Sequence, residues 1–162
     1  MNDNLAKVTI YTDGACSKNP GKGGFGVVLM FKKLDGTTIE KHFSKGFNIT
    51  TNNRMELLAV IEALNLLKKP CDITLYSDSK YVIDAINQKW LDGWIKKNWK
   101  LNTTNPVKNI DLWKKYLEAS KPHKIKFIWV KGHNENKYNE LCDKLAVEAR
   151  EKSVLEDDLG YN

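Results

Sequence analysis

Two short phrases of the chain end on the same carboxylate. "VTIYTD" at residues 8–13 and "ITLYSD" at residues 73–78 each run through a threonine, an apolar residue, a tyrosine and a small hydroxyl residue to an aspartate. In each, Asp13 or Asp78 follows a tyrosine by two positions, so that acid and ring share one face of a strand. If the two strands lie side by side with the same direction, their carboxylates meet. Two like charges at close range are unfavourable unless something positive lies between them. A divalent metal is the obvious occupant, and hard oxygen ligands suit Mg²⁺ or Mn²⁺. Taken alone, either aspartate reads first as an ordinary turn former. The repetition with matching flanks is what sets a shared metal beside that reading.

The other candidate groups have simpler readings at this stage. Asn53-x-x-Glu56 resembles a capping box, with Asn53 as the cap and Glu56 closing the first turn, and spacing alone favours that role. Asp143 falls near the start of the last predicted helix, where a carboxylate suits the helix dipole whatever its function. His133, in "KGHNENK", reads as a solvated loop histidine, and His42, His123 and His133 announce no metal-free acid–base site. Gly21-x-Gly23-x-x-Gly26 matches the dinucleotide-binding fingerprint, which works only when a helix comes next to hold the pyrophosphate. The next residues are "VVLMF", a strand, so a glycine-rich hairpin is the better reading. The residues by themselves therefore end at a metal-carboxylate site.

The elements that must position those acids emerge from periodicity. Residues 5–13, 25–33 and 35–47 read as three antiparallel strands, the last two joined at Asp35-Gly36. Leu57, Leu58, Ile61, Leu64 and Leu67 then make a helical stripe over 53–69, closed by Pro70. Strand 73–78 precedes a helix at 79–89, a Trp- and Lys-rich helical segment at 90–100 and a helix at 109–120. "KIKFIWV" (124–130) is a fifth strand, and a final helix spans 139–152 before a polar tail. The order predicts one α/β domain over residues 1–162, a mixed five-stranded sheet with helices packed on it. A crossover through helix 53–69 would make strands 5–13 and 73–78 parallel neighbours.

Charge points to a partner. Of the net +6, an excess of +5 lies between Lys89 and Lys115, where Lys89, Lys96, Lys97, Lys100, Lys108, Lys114 and Lys115 face only Asp92 and Asp111. A compositional drift toward lysine would spread the excess along the chain. Its concentration favours a surface that meets a polyanion, nucleic acid above all. No apolar run has membrane-spanning length, and "MNDNLAKVTI" lacks the apolar core of a secretory signal. The three dispersed cysteines, Cys16, Cys71 and Cys142, fit a reduced cytoplasmic setting.

Taken together, "TDGACSKNPGKGGFG", "TTNNRMEL", "YSDSKYV", "PVKNIDLW", "WVKGH", "NELCDKLA" and "LEDDLGY" resemble ribonuclease H of type 1 in its bacterial form, in family order across nearly the whole chain. The resemblance implies a ribonuclease H-like fold and an endonuclease that hydrolyses the RNA strand of RNA–DNA hybrids, leaving 5′-phosphate and 3′-hydroxyl ends. It implies two divalent ions, Mg²⁺ or Mn²⁺, held by Asp13, Glu56, Asp78 and Asp143, and so gives Glu56 a role beyond capping. His133 matches a mobile-loop histidine that serves proton transfer or product release. The family continues after it with a small residue and a glycine, whereas this chain has Asn134-Glu135-Asn136. Cys16, Asn19, Asn52 and Asn53 match positions that read the minor groove, where 2′-hydroxyls are displayed. Thr51 matches a phosphate pocket, and Ser79 and Lys80 lie beside Asp78 as further contacts. Lys96, Lys97 and Lys100 fall in the basic handle at 89–100, with Trp90 and Trp94 expected to brace it. A free-standing monomer without a protein partner is the expectation. The rival is a non-catalytic hybrid-binding module, which would gain nothing from clustered acids beside phosphates.

Overall fold

The chain runs β1 (Ala6–Cys16), β2 (Gly21–Lys32), β3 (Thr38–Thr50), α1 (Asn52–Asn65), β4 (Cys71–Ser77), α2 (Lys80–Asn87), α3 (Trp90–Lys96), α4 (Ile110–Ser120), β5 (Lys124–Trp129) and α5 (Lys137–Arg150). This is a computed structural model, and it describes residues 5–132, 136–152 and 154–161. The strands form one sheet in the order β3-β2-β1-β4-β5. The first three are antiparallel, and β1–β4 and β4–β5 are parallel, as the element order required.

The repeated phrases lie in register across the parallel β1–β4 pair. Val8 sits opposite Ile73, Thr9 opposite Thr74, Ile10 opposite Leu75, Tyr11 opposite Tyr76 and Thr12 opposite Ser77. The tyrosine rings stack with centroids 4.7 Å apart and planes inclined by 13°. The likeness of the two phrases is thus a ladder of like cross-strand pairs. Val8, Ile10, Ile73 and Leu75 are buried on one face, and the tyrosines lead to the acids on the other.

Several boundaries differ from the sequence reading, each for a local reason. Strand β1 does not stop at Asp13 but continues to Cys16, because β2 keeps pairing with it as far as Gly23. Strand β2 correspondingly begins at Gly21, so the glycines of the false fingerprint are strand residues. They serve close packing. A Cβ at Gly24 would collide with the Ala146 carbonyl oxygen, and one at Gly26 with that of Cys142. Helix α5 therefore rests directly on the backbone of the sheet. Helix α1 ends at Asn65, short of Pro70, and Leu66 closes it with its N–H directed back to the last turn before the chain turns into β4. Its cap is Thr51, whose Oγ1 accepts from the Arg54 N–H at 3.3 Å, and not Asn53. Its apolar face, with Leu57, Ile61 and Leu64, is buried as the periodicity required.

The basic handle departs from expectation at one of its two tryptophans. Trp94 braces α3 by meeting Trp113 of α4 edge-on at 5.7 Å, whereas Trp90 stays exposed. Helix α3 is only seven residues long and buries Leu91 alone, so one tryptophan suffices. The polar segment after α5 folds back on the sheet. The Glu156 N–H donates to the Gly46 carbonyl at 3.0 Å, and the Asn48 N–H donates to the Glu156 carbonyl at 2.8 Å, adding a short bridge along β3.

Asp158 then reaches inward to Arg54, which is only 2% exposed. Arg54 Nε and Nη2 donate to Asp158 at 2.6 and 2.9 Å, and Nη1 and Nη2 donate to Asp111 at 2.9 and 2.7 Å. Nη1 also donates to Asn109 Oδ1 at 3.3 Å, so all five N–H groups of the guanidinium are spoken for. Thr50 Oγ1 donates to Asp158 at 2.7 Å. This knot ties the first turn of α1 to α4 and to the chain end. Removing one partner of a buried pair leaves a charge uncompensated, and Asp111 remains here to soften the loss. Asp158→Ala should therefore lower the unfolding free energy by about 3 kcal/mol, measured by urea titration; a change indistinguishable from zero would show the tail to be ornamental.

Candidate active site

Three carboxylates converge where β1, β4 and α1 meet. Asp13 is supplied by β1, Asp78 comes directly after the last residue of β4, and Glu56 sits in the second turn of α1. One oxygen from each lies within 4.8 Å of the others. The approach of α1 to the strand depends on Gly14, where a Cβ would fall 2.6 Å from the Glu56 nitrogen. Asp13 Oδ1 accepts from the Gly14 N–H at 2.9 Å, which orients the carboxylate.

The cluster is electrostatically uncomfortable as it stands. Asp13 is 5% exposed and Glu56 9%. Burial, reinforced by the charges of Asp78 and Asp143, pushes Asp13 up to about 8. Glu56 is raised well above the usual carboxylate range by burial first and by Asp13 and Asp78 after it. Glu56 Oε2 is buried with no hydrogen-bond partner among the described residues. An orphaned oxygen beside two further acids is what a hard divalent cation requires, so these residues fit such an ion.

Asp143 lies on the wall of the same cleft, a space of about 380 Å³, together with Cys16, Asn52, Val147 and Arg150. It stands outside the tightest group of three, yet its charge is felt by Asp13. A groove of about 430 Å³ between α1 and α4 contains a single acid, Glu118, beside Lys114 and Lys115, so the carboxylate cluster belongs to the first cleft alone.

The remaining sequence candidates fall into three places. Cys16 and Asn52 line the acidic cleft, Asn19 Oδ1 accepts from the Asn52 N–H at 3.1 Å, Cys16 Sγ reaches the Lys18 carbonyl at 2.7 Å, and Thr51 and Asn53 flank Asn52 at the start of α1. Ser79 is buried and employed structurally, its Oγ accepting from the Val82 N–H at 3.2 Å to cap α2. Lys80 is exposed beside it. Lys96, Lys97 and Lys100 are exposed on the handle, with no ion pair among the described residues. His133, Asn134 and Glu135 lie outside the described residues.

Sequence reasoning passed over Arg150 and Trp129. Arg150 comes seven positions after Asp143 on α5, so helical spacing already put the two on one face. Trp129 could be found only from the fold, because its indole N–H donates to the Asp78 carbonyl across two strands at 3.1 Å.

A mixed sheet that brings acids from two parallel strands and two helices to one cleft defines a class of α/β proteins built round a divalent-cation site. The RNase H family model matches residues 5–151. Proteins named Ribonuclease H from Lachnoclostridium phytofermentans and from Clostridium botulinum are 54% and 56% identical to the chain. The alignments cover 94% and 91% of this chain and 97% and 98% of theirs. Among solved structures, a type 1 RNase H with the type 2 active-site motif is 28% identical, with a TM-score of 0.83 over 93% of this chain and 74% of that one. The chain belongs to the ribonuclease H family.

Burial of the acids, reinforced by their mutual repulsion, makes the stability of the metal-free protein depend on pH. Asp13, ordinarily at 3.8, stands at about 8 when folded, so the folded state holds a proton that the unfolded state releases. The stability from this group is complete below the ordinary value and is lost as pH rises toward the folded one. In chelator, Asp13→Asn should therefore melt above the wild type at about pH 8.5 by several degrees, with the gap much narrower at about pH 5 and gone only below the ordinary carboxylate value. Equal melting temperatures at both pH values would show that burial and repulsion at Asp13 do not act on the fold.

Proposed function

We propose that the chain is an endonuclease that hydrolyses the RNA strand of RNA–DNA hybrids with Mg²⁺ or Mn²⁺ at the carboxylate cluster. The observation that carries this reading is the convergence of Asp13, Glu56 and Asp78 around an unsatisfied buried oxygen, in a chain of the ribonuclease H family. Asp13, Glu56, Asp78 and Asp143 would hold the metal. Two bound divalent ions would supply the positive charge that activates a water and steadies the leaving oxygen.

The chain's own residues do the rest. Asp13 and Glu56 give up the protons that burial and mutual repulsion hold on them, so metal loading and deprotonation are coupled. Gly14 N–H keeps Asp13 turned toward the cleft. Asn52 and Asn53 at the start of α1, with Cys16 and Asn19, face the minor groove and select the RNA strand by its 2′-hydroxyls. That hydroxyl serves recognition and is not the nucleophile, so attack by water leaves 5′-phosphate and 3′-hydroxyl ends. Thr51 meets a phosphate of the DNA strand, and Ser79 and Lys80 add contacts beside Asp78. Lys96, Lys97 and Lys100 grip the duplex backbone from the handle. His133 assists proton transfer or product release. One chain carries the whole site, which suits a monomer, and three free cysteines suit the cytoplasm. Among the described residues no helix is long and apolar enough to cross a membrane.

Labelled hybrid should be cut on its RNA strand in Mg²⁺ and remain intact in chelator; hybrid left whole with Mg²⁺ present would refute the assignment. Asp13→Asn should lose turnover by several orders of magnitude while still retarding the hybrid in a binding gel. Replacing Lys96, Lys97 and Lys100 by Gln should raise KM more than it lowers kcat and flatten the salt dependence by about three phosphate contacts. A fall in kcat alone would contradict a gripping role.

A further inference from the structure

Asp13 and Asp78 are held in different ways. The last parallel pair between their strands is Thr12 with Ser77, so each acid lies one residue past it. Beyond that point Asp13 is still gripped on its other side, where β1 pairs with β2 through Gly26, Phe25, Gly24 and Gly23. Asp78 has left β4, and the cap of α2 comes at once after it. Its carboxylate must nevertheless keep its place against Asp13 and Glu56.

A side chain from the neighbouring strand takes over at this point. Trp129 is the last residue of β5 and the register partner of Ser77. Its indole Nε1–H donates to the Asp78 carbonyl at 3.1 Å. Next to it the Val130 N–H donates to the Ser77 carbonyl at 2.9 Å, and the Ser79 N–H donates to Ser77 Oγ at 3.0 Å. Trp129 is 41% exposed, so burial does not account for a large aromatic ring at this position. Lys80 Nζ lies 4.9 Å from the ring centroid, a cation–π contact that holds the indole plane where the hydrogen bond needs it. Three residues on, Gly132 passes so near that a Cβ would lie 2.7 Å from Asp78 Oδ2. The segment from Trp129 to Gly132 thus touches Asp78 at both its carbonyl and its carboxylate.

We propose that Trp129 is the positioning residue for Asp78, its indole N–H replacing the strand pairing that Asp78 lacks and so fixing the carboxylate for the divalent ion. The inference rests on the metal-site reading above, and it concerns how this chain holds one of the acids. Partners one step behind a metal ligand act by restricting its orientation, and their loss is felt in affinity for the ion as well as in rate.

Trp129→Phe keeps an aromatic ring beneath Lys80 and deletes the donor. The Mg²⁺ dissociation constant of the substrate-free variant, measured by calorimetry, should rise about tenfold, and kcat on hybrid should fall comparably while KM moves less than about twofold. A second readout needs no variant. In ¹⁵N-labelled wild type, the Trp129 indole signal should shift during Mg²⁺ titration with the same midpoint as the Asp78 amide. A variant with wild-type Mg²⁺ affinity, or an indole signal that stays still while the Asp78 amide moves, would overturn the proposal. Should the wild type fail to cut hybrid while the variant still binds Mg²⁺ more weakly, the positioning role stands and the reading of the substrate falls.

Discussion

Everything in this structure answers to one constraint: three carboxylates must stay together although each repels the others. Burial sharpens the conflict, since it penalises the charged form of Asp13 and Glu56 and removes the water that would screen them. A flexible chain would relieve the strain by letting one acid swing into solvent. Here each acid is tied to an element that cannot turn away. Asp13 is held in β1 by its continuing pairing with β2, and Glu56 is carried by a helix packed against Gly14. The repulsion is held in place until a cation relieves it.

That rigidity is distributed through contacts that never touch the cleft. Glycines at 24, 26 and 46 let α5 lie on the bare backbone of β2 and β3, which sets the distance of Asp143 from the sheet. Arg54, two residues from Glu56, is locked by Asp111 of α4 and Asp158 near the chain end. A buried guanidinium with every donor used makes a poor source of net stability but a strict ruler of geometry. It fixes the rotation of α1, and the same rotation aims Asn52 and Glu56 at the cleft.

Charge is segregated in a manner that suits a phosphodiester substrate. The acids are sunk in a cleft, while the lysine excess sits apart on an exposed handle braced through Trp94 and Trp113. A polyanion approaching the handle meets attraction in water, and its phosphates meet the acids only where an ion can lie between them. Mixing the two sets of charges would have quenched both.

Much of this was legible before any coordinates. The doubled phrase, the change from period two to period 3.6 at residue 53 and the ordered motifs together specified the sheet and the family, because these signals are local and chemical. Spacing alone, by contrast, read Glu56 as a helix cap and Asp143 as a partner of the helix dipole. Hydrophobic pattern also predicted which face of α1 would be buried. Two misreadings have physical reasons. Thr51 displaced Asn53 as the cap through a bond to Arg54 that either spacing allowed. Trp94 packed while Trp90 stayed outside because Trp113 lies on one side of α3 only. Neither choice leaves a mark in residue type. Residue types and spacing determined which chemistry was available and which strands would carry it. Only the tertiary structure decided that Gly24 and Gly26 form the floor of a helix, that Arg54 is a buried knot, and that Trp129 reaches Asp78. Those facts depend on which surfaces meet, and close approach between remote segments leaves no periodic trace in the order of residues.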